Sequence, residues 1–258
     1  MTGLIYFIVI VLSSILGAIV GLGGGVFVRP VFDALGYHSM LNVNFFASMA
    51  IVTMAFVSTA KKIKDGTRIK IKIAAFLAAG ALIGGMLGDM LLQHLLSVFE
   101  YQHHVQYIQI AATVVTLSAA LFLTRKNMPR FEIKSMWVKA LFGLPLGLIS
   151  TFLGIGGGPI NVPLLMIFFG MNIKDATVYS IVLIFVSHAS RLMSVGISPG
   201  FLYFDLNMLP YVITAAALGG LLGARLSKVF SESTVRRLFQ ATLCAVILLN
   251  VFNGVFVL

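Results

Sequence analysis

A ten-residue pattern occurs twice in this chain, as Gly21-Leu-Gly-Gly-Gly-Val-Phe-Val-Arg-Pro30 and as Gly154-Ile-Gly-Gly-Gly-Pro-Ile-Asn-Val-Pro163, with an offset of 133 residues. Each copy follows a long apolar segment. Three consecutive glycines continue a helix poorly, each costing about 1 kcal/mol relative to alanine. Inside a bilayer the backbone groups freed by such a break need partners. A glycine break repeated in membrane-like sequence marks two pseudo-symmetric halves of a transporter, with the breaks near the substrate site.

The apolar character is general. Hydrophobic residues make up 59% of the chain and charged ones 10%, against roughly 25% charged in a soluble domain. This is the composition of an all-α polytopic membrane protein, and no soluble stretch is long enough for a second domain. The formal charge of +10 would suit nucleic acid, but the basic residues lie in short connections between apolar spans. The positive-inside rule places them there, so no nucleic-acid partner is expected. Cys244 is the single cysteine, which rules out an internal disulfide. The N-terminus lacks the positive region of a signal peptide, and its apolar run to Val20 reads as a first helix.

The apolar runs are 3–22, 26–36, 42–60, 73–92, 105–123, 138–154, 159–171, 176–195, 207–226 and 238–257. About twenty residues cross the hydrocarbon core, so 26–36 and 159–171 are too short to cross unaided. The charges choose between topologies. Suppose the segments 3–36 and 138–171 each return to their starting side. Sixteen of the eighteen Lys and Arg, in 61–72, 124–139, 225–237 and at Lys174, then share the cytoplasmic side. If each pair crosses once, the division falls to twelve against six. The returning-pair topology is therefore expected. It gives two inverted-topology repeats, 1–126 and 127–258, each a glycine-broken helix pair followed by three long transmembrane helices, with both termini outside. Gly84-Gly85-Met-Leu-Gly88 and Gly219-Gly220-Leu-Leu-Gly223 are a further related pair, of a kind that lets helix backbones approach closely.

The breaks are also the strongest chemical signal. Pro159 suits the first helical position, leaving Gly158 near the N-cap with amides and the positive helix end free for an anion. The amides of Gly23, Gly24 and Gly25 and of Gly156, Gly157 and Gly158 are the expected cradle. Thr177, Ser180, Ser187 and Arg191 fall within an arc of about 80° on one helix face, and Asn44, Ser48 and Thr59 form a similar stripe in the first half. Ser48, Ser180, Ser187 and Asn161 are candidate substrate contacts. Arg29 and Arg191 stand outside the cytoplasmic set. An intramembrane arginine is costly and faces a cavity or a partner, and its fork matches a sulfonate, carboxylate or phosphate; near the outer surface both could instead snorkel. His188, beside the stripe, is a candidate for proton coupling. Asp89 and Asp205 are expected in the interface. The spacing of His94, Glu100, His103 and His104 matches no tight metal set. No P-loop, dinucleotide fingerprint or catalytic constellation is present, so neither a cofactor nor an enzymatic activity is expected.

With Gly21-Leu-Gly-Gly-Gly25 and Pro30, Gly154-Ile-Gly-Gly-Gly-Pro159 and Pro163, Ala47-Ser48 and Tyr179-Ser180 in view, the chain resembles the TauE/SafE family of membrane permeases, across essentially its whole length. The resemblance implies a cell-membrane carrier of a small sulfur-containing anion, such as sulfite, thiosulfate, sulfoacetate or another sulfonate. Where the second half has Gly158-Pro159 the first has Gly25-Val26, which weakens the cradle there. A proton or sodium ion would be the coupling partner and membrane lipid the surroundings; a homodimer is left open. The rivals are a carrier of a metal or other cation, and a non-transporting membrane subunit or assembly factor.

Overall fold

Each apolar run folds as an α-helix because, away from water, a helix satisfies its own backbone donors and acceptors. The computed structural model describes residues 2–125, 128–197 and 200–256. Its helices are α1 (Thr2–Val20), α2 (Gly25–Leu35), α3 (Met40–Lys64), α4 (Ile71–Val98), α5 (Gln102–Leu123), α6 (Met136–Leu153), α7 (Gly158–Phe169), α8 (Ile173–Ile197), α9 (Leu209–Val229) and α10 (Glu232–Phe256). Eight are long and apolar enough to cross a membrane. The two short ones, α2 and α7, hold 11 and 12 residues and directly follow the glycine breaks. All ten runs expected from the sequence are therefore helices. The expected boundary between repeats, at 126/127, and the basic residue Lys126 lie outside the described residues.

Both short helices turn back. Tyr6, early in α1, stacks on Phe32 late in α2 with ring centroids 3.7 Å apart, and its hydroxyl lies 2.8 Å from His38 Nδ1 just beyond α2. Phe142, early in α6, packs on Phe168 and Phe169 at the end of α7, at 4.8 and 5.5 Å. Each pair thus ends beside its own beginning.

The basic segments gather at one end of the bundle. Lys62 Nζ, at the end of α3, donates to Ala18 O at the end of α1 at 2.9 Å. The Lys70 amide donates to the Tyr179 hydroxyl at 2.9 Å, Arg236 Nη1 to Thr124 O at 2.9 Å, and Phe76 meets Trp137 at 5.7 Å. The opposite end holds the Tyr6–His38 contact and Asp205, whose carboxylate lies 3.3 Å from His38 Nε2.

Small residues set how closely the helices approach. α1 runs along α9 and α6 along α4; α3 packs on α9 and α8, and α8 packs on α4. Exchanging α1–α5 with α6–α10 maps these contacts onto one another. The correspondence reaches single residues. Gly219 and Gly223 lie against Val11 and Ile15 of α1, while Gly84 and Gly88 lie against Leu144 and Leu148 of α6, each 133 residues further on. Likewise Gly220 faces Met54 and Gly85 faces Ser187. A Cβ at Gly220 would stand 2.8 Å from Met54 O, closer than helices with larger side chains permit.

Candidate functional site

The two breaks meet at the centre of the bundle. Gly21 and Gly23 have φ of +75° and +80°, and Gly154, Gly156 and Gly157 of +67°, +97° and +60°, a region that costs an L-residue about 1–2 kcal/mol. A Cβ on Gly23 would lie 3.7 Å from Gly156 Cα, and one on Gly156 3.0 Å from Leu22 O. Backbone rests directly on backbone here, so a ligand between the breaks requires them to part. The Gly158 amide donates to Gly156 O at 2.6 Å and is not free. Among the described residues, the amides of Gly23, Gly24, Gly25, Gly156 and Gly157 donate to no backbone carbonyl.

Beside the second break lies a buried polar network. Arg29, on α2, donates to Leu153 O, the last carbonyl of α6, and to Gln109 Oε1, and its Nε is 3.6 Å from the Asp33 carboxylate. Gln109 Nε2 donates to Phe152 O at 2.5 Å. A Cβ on Gly154 would meet Asn44 Oδ1 at 2.6 Å and Arg29 Nη1 at 3.1 Å. One turn along α3, Ser48 Oγ donates to Asn44 O at 2.9 Å and accepts from Arg191 Nη1 at 3.2 Å. His188 Nδ1 lies 3.2 Å from the same hydroxyl, and Arg191 Nε donates to Asp89 Oδ1 at 3.1 Å. Ser187 Oγ stands 3.2 Å from Ser150 Oγ.

Arg29, Ser48, His188 and Arg191 are therefore brought together, with Ser187 next to His188 in the chain. Ser180 is elsewhere, its hydroxyl donating to Gly21 O at 2.6 Å in the first break. Asn161 is fully buried in the first turn of α7, and among the described residues its side-chain amide nitrogen and oxygen both have no partner. Among the same residues the side-chain amide of Asn44 and His188 Nε2 also lack partners. Neither arginine snorkels: each is only 4% exposed and held by a carboxylate.

One expectation about the acidic residues needs correction. Asp89 does not sit in the interface; it is 5% exposed and pairs with Arg191. Asp33, which the sequence reading did not single out, is as deep: its side chain, like that of Asp89, is 6% exposed, and it lies beside Arg29. The missed signals were modest: an aspartate four residues after an arginine on one helix, and Gln109 inside an apolar run.

The network carries two guanidiniums and two carboxylates, no net charge, and an excess of N–H donors. An oxyanion can replace the carboxylates on the arginine forks or take the unfilled amides of Asn44 and Asn161. A family model described as "Sulfite exporter TauE/SafE" matches residues 6–249. The chain belongs to the TauE/SafE family. It is also 35% identical over 112 residues to "Probable membrane transporter protein MamO" of Magnetospirillum gryphiswaldense, and 34% identical over 114 residues to the protein of the same name in Paramagnetospirillum magneticum. Both matches cover 42% of this chain and only 18% of the relative. No solved structure matches. As a TauE/SafE member with eight apolar helices, the chain is a multi-pass membrane protein. The glycine breaks and the polar network both lie within the part that the family model covers.

Proposed function

We propose that this TauE/SafE protein is a secondary transporter of the cell membrane that carries a small sulfur-containing anion, such as sulfite, thiosulfate, sulfoacetate or another sulfonate, by alternating access. The observation that carries this reading is the burial of Arg29 and Arg191 in one polar network beside the second break. Charges in a lipid-embedded bundle are retained where they serve a transport path. The Ser48 hydroxyl and the unfilled side-chain amide of Asn44 lie in the same network, and with the arginine forks they are donors suited to sulfonate oxygens. The return of both short helices and the exchange-invariant packing support two inverted repeats, 1–126 and 127–258. The basic end would face the cytoplasm, which puts both termini outside.

An inside-negative potential opposes anion entry by about 2.3 kcal/mol per charge per 100 mV. Export can run uncoupled, whereas uptake needs a proton or sodium ion; His188, Asp33 and Asp89 are the candidates to handle a proton. Cation transport fits less well, since each buried carboxylate already has an arginine partner. The test is flux in proteoliposomes. Saturable sulfoacetate, sulfite or thiosulfate movement, lost in Arg191→Met, is expected. Divalent-metal flux with no anion flux would favour the cation reading. No flux of either kind, with a copurifying membrane partner, would favour a non-transporting subunit.

A further inference from the structure

A second polar feature lies apart from the arginine network, at the lysine-rich end. A partly enclosed cavity of about 330 Å³ opens between the ends of α1, α3, α8, α9 and α10. Lys62, Lys174, Lys228, Asp65, Asp175 and Thr177 line it. Its charges do not balance internally. Lys61, outside the lining, holds Asp65 in an i,i+4 ion pair, and this hydrogen bond keeps the Asp65 carboxyl below the usual carboxylate range. Asp175 accepts from Asn172 Nδ2 at 2.8 Å. Among the described residues, the three lysines bond only to main-chain oxygens: Lys62 to Ala18 at 2.9 Å, Lys174 to Lys228 at 3.5 Å and Lys228 to Asp65 at 3.5 Å.

Lys62 is the decisive group. It is only 5% exposed, and an ammonium buried with a single neutral partner is costly. It has three N–H donors, one of which caps the end of α1. The cavity wall behind it leads to the first glycine break, since a Cβ on Gly21 would lie 2.6 Å from Thr177 Cα. One lining residue, Thr177, therefore separates the basic cavity from the first break.

We propose that this cavity binds a small free oxyanion of the sulfonate class, with Lys62 as its deepest ligand and Lys174 and Lys228 at its rim. It would be the docking site on the lysine-rich side, from which the anion passes to the breaks. The cavity and its lysines stand on their own geometry; the sulfonate class and the onward passage rest on the transport reading above.

The experiment uses the full chain with Cys244→Ser, which removes the native thiol, and Thr67→Cys as a reporter at the cavity. Alkylation of the reporter by N-ethylmaleimide is timed with increasing sulfoacetate, which does not react with the reagent, and with chloride at matched ionic strength. Sulfoacetate should slow labelling and chloride should not. Lys62→Gln should raise the half-protecting concentration about tenfold or more, as expected for the loss of one charge-assisted hydrogen bond. Lys62→Arg, which keeps the charge, should stay close to the parent and guards against a folding defect. Undiminished protection in a Lys62→Gln protein that elutes as the parent does would overturn the site. So would protection that follows the phosphatidylglycerol content of nanodiscs and ignores sulfoacetate, because the occupant would then be a lipid headgroup. Protection by sulfoacetate with no flux in proteoliposomes upholds the site and removes the transport reading. Flux with no protection does the reverse.

Discussion

Arg191 is held by two kinds of partner, a carboxylate from α4 and a hydroxyl from α3, and these make separable predictions. Arg191→Met strands Asp89 as a buried, unpaired carboxylate, which costs about 3–5 kcal/mol and should lower the unfolding temperature of the detergent-solubilised protein. Arg191→Met with Asp89→Leu removes both charges, and stability should return to near that of the parent. Flux should not return if, as proposed, Arg191 is a ligand of the transported anion. Recovery of flux in the double variant would reduce the pair to a structural one. The arginine was legible in the sequence as a charge outside the cytoplasmic clusters. Its partner was not, because Asp89 lies 102 residues away and no local pattern links the two. Asp33 was within reach, four residues after Arg29, but the apolar run around it hid the pair.

Helices and breaks form the next scale, and glycine conformation gives them measurable content. Gly156 has φ +97°, with Leu22 O 3.0 Å from where its Cβ would be. Gly36, closing α2, has φ +64° with nothing within 4 Å. Gly36→Ala should therefore cost only the left-handed penalty of about 1–2 kcal/mol, with flux retained. Gly156→Ala carries the same penalty and also pushes the two breaks apart, so it should lose more stability than Gly36→Ala and abolish flux. Equal effects of the two substitutions on unfolding temperature and flux would mean that contact between the breaks is unimportant. The helices themselves were well marked by apolar runs, since hydropathy and helix formation coincide in a bilayer. Their ends were less so: α4 continues to Val98, past the apolar run ending at residue 92, because hydropathy marks the hydrocarbon layer and not the last backbone hydrogen bond. That the breaks rest on each other could not be read at all, since glycine runs show where a helix stops but not what fills the gap.

At the scale of the whole molecule, the bodies that move need not be the sequence repeats. The closest approaches, laced with glycine, join α1 to α9 and α6 to α4, each crossing between repeats. Adding α3 to the first pair and α8 to the second gives two bodies related by exchange, which meet where α3 faces α8 and where the breaks touch. Interdigitated backbones resist sliding, so motion belongs at the α3–α8 seam. Two aromatic contacts allow a matched test. Phe56 of α3 and Phe185 of α8 have ring centroids 6.2 Å apart across the seam, whereas Phe76 of α4 and Trp137 of α6 lie 5.7 Å apart within one body. In a Cys244→Ser background, the double variants Phe56→Cys/Phe185→Cys and Phe76→Cys/Trp137→Cys are cross-linked with a short bis-methanethiosulfonate, whose disulfide links can be reduced. Cross-linking the first pair should stop flux, and reduction should restore it. Cross-linking the second should leave flux within about twofold of the uncross-linked protein, because rigidly packed elements travel together in a domain movement. The opposite pattern would mean that each body breaks internally, with α4 sliding on α6 while α3 and α8 stay fixed.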